Sequence, residues 1–285
     1  MPDGFAHLHV ASGFSLRYGA SSPADLVRRA AELGHDTLAL TDRDGLYGAV
    51  RFALACRENG IAPVFGVDLA VGPSGLLPDR LTVGRTTSRR RTPARGGPWV
   101  DERRPRVVVL ARNRRGWAAL CRLVSAAHLS GERGTPVLDM STTADLAGAG
   151  DILVLLGPDS ECGRAVAARR PDLADAVLHR WRELLGSAQV RAEVVCHLTA
   201  VPDADPGRPW VSSLSLPLAA RMYRWALEAG VEPVLTNAVR HADPQQSRVV
   251  DVLDAIRRLV PLDSRHLDRG NSEGHLKSTA QMQDV

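Results

Sequence analysis

SPADLVRRAAELGHDTLALT, residues 22–41, holds one helix and the strand that follows it. Ser22 precedes Pro23 and stands three residues before Asp25, which sets an N-cap, a first-turn proline and an acidic first turn. Leu26, Val27, Ala30 and Leu33 recur on one helical face, and Gly34 supplies the stop. Thr37–Thr41 is then a short apolar run of the kind a buried strand uses.

The same rhythm extends in both directions. Further strands are expected at Phe5–Val10, Pro63–Val71, Arg106–Ala111, Asp151–Leu156, Gln189–Cys196 and Glu232–Asn237, making seven. Helices are expected at Leu46–Glu58 before Asn59-Gly60, at Pro171–Leu185 before Gly186, at Leu218–Ala229 before Gly230, and at Gln245–Leu259 after Pro244. Strand–helix alternation with parallel connections predicts a barrel or a doubly wound sheet. Seven strands without a glycine-rich dinucleotide fingerprint favour the barrel, with chemistry at the C-terminal ends of the strands.

The 285 residues are 44% hydrophobic and 24% charged, enough for one large α/β domain or two small ones. Apolar runs such as Ile152–Leu156 are too short to cross a bilayer, and Met1-Pro2-Asp3-Gly4 does not open a signal peptide, so a cytoplasmic protein with no membrane partner is expected. Cys56, Cys121, Cys162 and Cys196 are scattered through apolar segments and read as reduced, packed thiols. The net charge is +4, carried almost wholly by arginine, since Lys277 is the only lysine. No Ser-His-Asp elbow and no phosphate-binding P-loop is present.

Two stretches break the rhythm. Residues 72–105 are rich in Gly, Pro, Thr and Arg and read as a mobile basic loop. Its centre, Arg89-Arg90-Arg91, is a candidate contact for a DNA backbone. Residues 263–285 are polar and weakly patterned, and a poorly ordered tail is expected there.

Polar residues gather at the strand ends: Leu8-His9-Val10-Ala11-Ser12, Tyr18-Gly19, Thr41-Asp42-Arg43-Asp44-Gly45, Gly66-Val67-Asp68 and Asn237-Ala238-Val239-Arg240-His241. With Arg106–Val124 and His275-Leu276-Lys277-Ser278, they resemble, in order and over nearly the whole chain, the N-terminal PHP domain of bacterial error-prone DNA polymerase III α subunits. The resemblance implies a distorted (β/α)₇ barrel over residues 1–262, followed by a linker toward a palm domain beyond Val285. It implies a role in DNA replication and translesion repair synthesis. The partners it implies are the remainder of the polymerase or translesion accessory proteins.

Active members of that family hold divalent metals at the strand ends and hydrolyse phosphoesters. Compared position by position, His9 remains, Asp68 stands for a glutamate, and His7 and Asp42 are vestigial. Five ligand positions are lost, at Ala11, Tyr18, Arg43, Ala238 and Arg240. Arginine has no acceptor and keeps its proton. One guanidinium about 4 Å from a dication is repelled by roughly 8 kcal/mol at an effective dielectric of 20.

The expectation is therefore no metal, no cofactor and no catalytic residue. Arg43 and Arg240 are expected to pair with Asp42, Asp44 or Asp68. Asp42 and Asp44 otherwise read as caps of the next helix. His7 and His9, two apart on a strand, should face one side. His241, one position past the lost ligand, should face away from the site. His35, His128, His179 and His197 have no clustered partners in the sequence and read as surface or packed residues. The alternative reading is a free-standing metal-dependent phosphoesterase or 3′–5′ exonuclease of the same family, which would use the divalent cluster.

Overall fold

A computed structural model describes residues 4–82, 104–130, 134–148, 150–199, 214–258, 261–262 and 271–285. Arg89, Arg90 and Arg91 lie outside the described residues.

The elements run in chain order α1 (Pro23–Glu32), β1 (Thr37–Leu40), α2 (Ala49–Asn59), β2 (Ala62–Ala70), α3 (Asp79–Thr82), β3 (Arg106–Ala111), α4 (Arg114–Ser130), α5 (Met140–Ala147) and β4 (Ile152–Leu156). They continue with α6 (Glu161–Ala167), α7 (Pro171–Leu185), β5 (Val190–Val195), α8 (Leu216–Glu228), β6 (Pro233–Thr236), α9 (Ser247–Arg258) and α10 (Thr279–Gln283). The local signals act where they stand. The Ser22 side chain accepts from the Asp25 amide, and Gly60 ends α2 in the left-handed conformation at φ 70°.

The six strands form one sheet in sequence order. Pairing is parallel for β1–β2, β4–β5 and β5–β6, but β3 runs antiparallel to both β2 and β4. The expectation of parallel connections throughout is corrected here. The chain leaves β2 and enters β3 at the same end of the sheet, with Ala70 opposite Arg106. The first residue of β3 therefore lies where the last residues of β1 and β2 lie.

The expected strand Phe5–Val10 is irregular, yet it joins the two edges of the sheet. The carbonyls of His7 and Val10 accept from the amides of Ala39 and Thr41, and Val239 exchanges backbone bonds with His9 and Ala11 on the other side. Three residues stand opposite two on the β1 side, which is a bulge and interrupts the regular ladder.

Strand residues alternate between two cores. Val107, Val109, Ile152, Val154, Val190, Ala192 and Val194 face outward into the layer that includes Leu120, Leu123, Trp181, Met222 and Trp225. Val108, Leu110 and Leu155 face inward, packed by Leu8, Val64 and Leu153. Leu8 among them shows the N-terminal segment closing the lumen. A third cluster joins α1, α2 and β1 through Leu26, Phe52 and Leu38, and includes Leu276.

Leu276 marks a second correction. Residues 271–285 are not a loose tail: Leu276, Lys277 and Met282 are buried. Asn237 Nδ2 donates to the carbonyls of Glu273 and His275, and Arg240 N donates to that of Gly274. His7 and His35 both place Nε2 within 2.9 Å of the Lys277 carbonyl. The segment is a strap along the seam that the N-terminal segment closes. Polar sequence misled because its polar atoms are consumed by buried partners.

A guanidinium-laced barrel mouth

Asp68 sits near the end of β2 on the lumen side, 3% exposed. Its Oδ2 accepts from Arg43 Nε at 3.0 Å and its Oδ1 from Arg106 Nε at 2.9 Å. Burial alone would raise this carboxyl, but the guanidiniums of Arg106 and Arg43 outweigh it and hold it below the ordinary value. Arg106 shares the inward face of β3 with Val108 and Leu110 and stands at the mouth because of its strand's direction. Its second arm reaches Asp44 Oδ1 at 2.9 Å and the Asp68 carbonyl at 2.7 Å. Burial works against the Arg106 charge, and Asp44 and Asp68 reverse that effect, holding its pKa above the usual arginine value.

Asp44 adopts φ 56°, and its backbone is pinned on both sides. Its amide donates to the Asp68 carbonyl, and its own carbonyl accepts from His128 Nε2 at 2.7 Å. Asp42 takes no arginine among the described residues. It accepts from the Ser12 amide, the Ser12 hydroxyl and the Ser15 hydroxyl, while burial raises its carboxyl. Neither aspartate caps α2, whose N-cap is Gly48.

Arg43 also lies 3.4 Å above the centre of the Tyr18 ring, and Arg240 lies 4.0 Å from the same centre. Arg240 does not pair with Asp42, Asp44 or Asp68. It takes both oxygens of Asp254 on α9, at 2.6 and 3.1 Å, and donates to the Tyr18 carbonyl. Arg257 also reaches Asp254, at 2.6 Å. The reason is position: Arg240 lies beyond the end of β6, at the rim where α9 crosses. Ala11 and Ala238 are buried without polar side chains.

His7 and His9 do not share a face. The bulge between them turns His7 outward, against His35 with ring centres 5.2 Å apart, and turns His9 into the lumen. His9 Nδ1 lies 2.7 Å from Glu193 Oε1, which also accepts from the Thr236 hydroxyl. Burial lowers the His9 pKa, but Glu193 outweighs it and Asp68 adds to the rise, so His9 titrates above its ordinary value. Gly157 leaves space for this carboxylate, since a Cβ there would fall 2.0 Å from Glu193 Oε2. His241 turns away from the mouth. Its Nδ1 contacts the Asp243 carbonyl, and its ring stacks with His275. His197 Nε2 contacts the Asn237 carbonyl.

Arg106 and Glu193 were missed in the sequence. A strict strand-period reading flags Glu193, the one carboxylate of the strand, followed by the apolar Val194 and Val195. Nothing local flags Arg106, because its place depends on strand direction.

A hydrolytic divalent metal needs several free imidazole or carboxylate donors and an open position. Both oxygens of Asp68 are taken, Asp42 is enclosed by serines, and His9 is spent on Glu193. Among the described residues, no three His, Cys, Asp or Glu side chains are grouped to hold a metal ion. The donor set does not fit the family's metals.

An error-prone DNA polymerase of Mycolicibacterium paratuberculosis is 35% identical over 283 residues, covering 98% of this chain and 23% of that protein. A DNA polymerase III subunit alpha of Treponema pallidum is 30% identical over 292 residues, covering 98% of this chain and 21% of that protein. The chain thus spans under a quarter of the length of these relatives. An amidohydrolase from Chromobacterium violaceum superposes over 82% of this chain and 87% of its own, at 15% identity and a TM-score of 0.48. The PHP domain pattern matches residues 7–197, and the chain belongs to the PHP domain family.

Proposed function

We propose that the chain is the PHP part of an error-prone DNA polymerase of the III α family, acting there as a non-catalytic structural and interaction module. Its setting is DNA replication and translesion synthesis, and its partner is the rest of that polymerase. One observation carries the reading: Arg43 and Arg106 occupy both oxygens of Asp68, where a hydrolytic metal would need them free. A guanidinium cannot be displaced by deprotonation and would repel an incoming dication.

The test is an assay of the purified chain on a phosphodiester and on a 3′-recessed DNA duplex with Mn²⁺ or Zn²⁺, alongside metal analysis. The expected result is no turnover and no stoichiometric metal. Turnover abolished by His9→Ala would instead establish a free-standing phosphoesterase. A palm-encoding frame adjoining codon 285 would identify the polymerase. DNA contact through Arg89, Arg90 and Arg91 belongs to the same proposal and predicts binding that weakens steeply with salt. Among the described residues, no helix is long and apolar enough to cross a membrane.

A further inference from the structure

We infer that Arg106 is an internal cation that does in this barrel the bridging work of a mouth metal, making the fold independent of divalent ions. The inference rests on the reading that the mouth is not a hydrolytic centre, and it adds what holds the mouth together.

Three observations carry it. The first is connectivity. A bridging metal fastens carboxylates from different elements to one point. The Arg106 side chain, 9% exposed, fastens its own β3 to the Asp68 carboxylate and carbonyl on β2 and to Asp44 in the turn after β1. No other side chain at the mouth touches both Asp44 and Asp68 among the described hydrogen bonds.

The second is charge. Asp44 and Asp68 are two like charges brought together beneath a low-dielectric rim, and two guanidiniums, Arg106 and Arg43, neutralise them. Among the described residues Arg43 pairs with Asp68 and not Asp44, and Arg106 is the guanidinium that reaches Asp44. The third is preorganisation. Asp44 is held at φ 56° by backbone bonds to Asp68 and His128, which aims its carboxylate before Arg106 arrives. A planar fork then fits three acceptors that a lysine ammonium could reach only as a point charge.

The experiment is thermal melting of the full chain. Wild type should melt at the same temperature in chelator, Mn²⁺ and Zn²⁺. Arg106→Met keeps most of the packing, strands Asp44 and leaves Asp68 with Arg43 alone, and should melt about 6–10 °C lower. The pair Arg106→Met/Asp44→Asn should melt above Arg106→Met alone, because one stranded charge is removed. If Arg106→Met does not fold, Asp44→Asn and Arg106→Lys serve instead, and each should lower the midpoint in metal-free buffer.

A wild-type midpoint that falls on chelation, or rises with either metal, overturns the inference. So does Arg106→Met, or in its absence Asp44→Asn, melting like wild type. Melting decides this inference, whereas turnover decides the functional reading, so the two can fail separately.

Discussion

The Arg43 guanidinium packs 3.4 Å from the centre of the Tyr18 ring, and the Arg240 guanidinium lies 4.0 Å from the same centre. With Arg257 at 5.5 Å, three like charges share one aromatic spacer. The ring links the ion pairs of the lumen, Arg43–Asp68 and Arg106–Asp44, to those of the rim, Arg240–Asp254 and Arg257–Asp254. The tyrosine ring offers these guanidiniums a surface that suits cations.

Tyr18 should act through its ring and not its hydroxyl. Tyr18→Phe is expected to keep stability within about 0.5 kcal/mol, and Tyr18→Ala to lose about 2–3 kcal/mol from lost packing and three lost cation–π contacts. Urea unfolding of the two variants checks this. Equal losses in both would place the effect in the hydroxyl.

The His9 ring should report on Glu193. With the carboxylate in place, its pKa stands above the ordinary 6.5. A raised pKa adds stability that is complete below the unfolded value and is lost as pH rises through the folded one. Glu193→Gln removes the raising charge and leaves burial dominant, so the His9 pKa should fall below 6.5. Gly157→Ala should do the same by displacing Glu193, with a cost of about 2 kcal/mol from overpacking. Titration of the His9 ring by NMR measures both.

Acid should loosen the strap. Burial drives the pKa of His7, His197 and His241 down from 6.5 to about 4. A depressed histidine contributes stability that is present above its unfolded value and lost as pH falls toward the folded one. Each ring can account for about 3 kcal/mol between neutral pH and pH 4. His7 holds the Lys277 carbonyl, and the His197 carbonyl accepts from Asn271. His241 exchanges backbone bonds with the strap at Gly274 and Leu276. The melting temperature should therefore drop steadily from pH 7 to pH 4, and less steeply in His7→Gln. A flat profile in wild type would contradict the neutral state of these buried rings.

Removing residues 271–285 should cost at least about 4 kcal/mol. Leu276 and Met282 leave buried positions, each worth roughly 1.5–3 kcal/mol, and Asn237, His7 and His35 lose partners. Comparing denaturation of the truncated and full chains tests this. A truncated chain as stable as the full one would return the segment to the status of a tail.

The sequence by itself determined what local chemistry controls. Ser22, Pro23 and Gly60 bound their helices, Pro171 and Gly186 bound α7, and the runs at 106–111 and 152–156 are strands, because capping and side-chain periodicity act within a few residues. The identities of Arg43 and Arg240 beside the strand ends were equally legible, since they need only residue identity and order.

Only the tertiary structure decided which charges meet. The reversal of β3 brought Arg106 to Asp68, and a bulge parted His7 from His9. The passage of α9 over the rim gave Arg240 to Asp254, and the seam turned a polar segment into a buried strap. Each is a contact between residues far apart along the chain. Its sign and geometry depend on strand direction and on what else is buried beside it, and neither is encoded within a turn or two of the residues concerned.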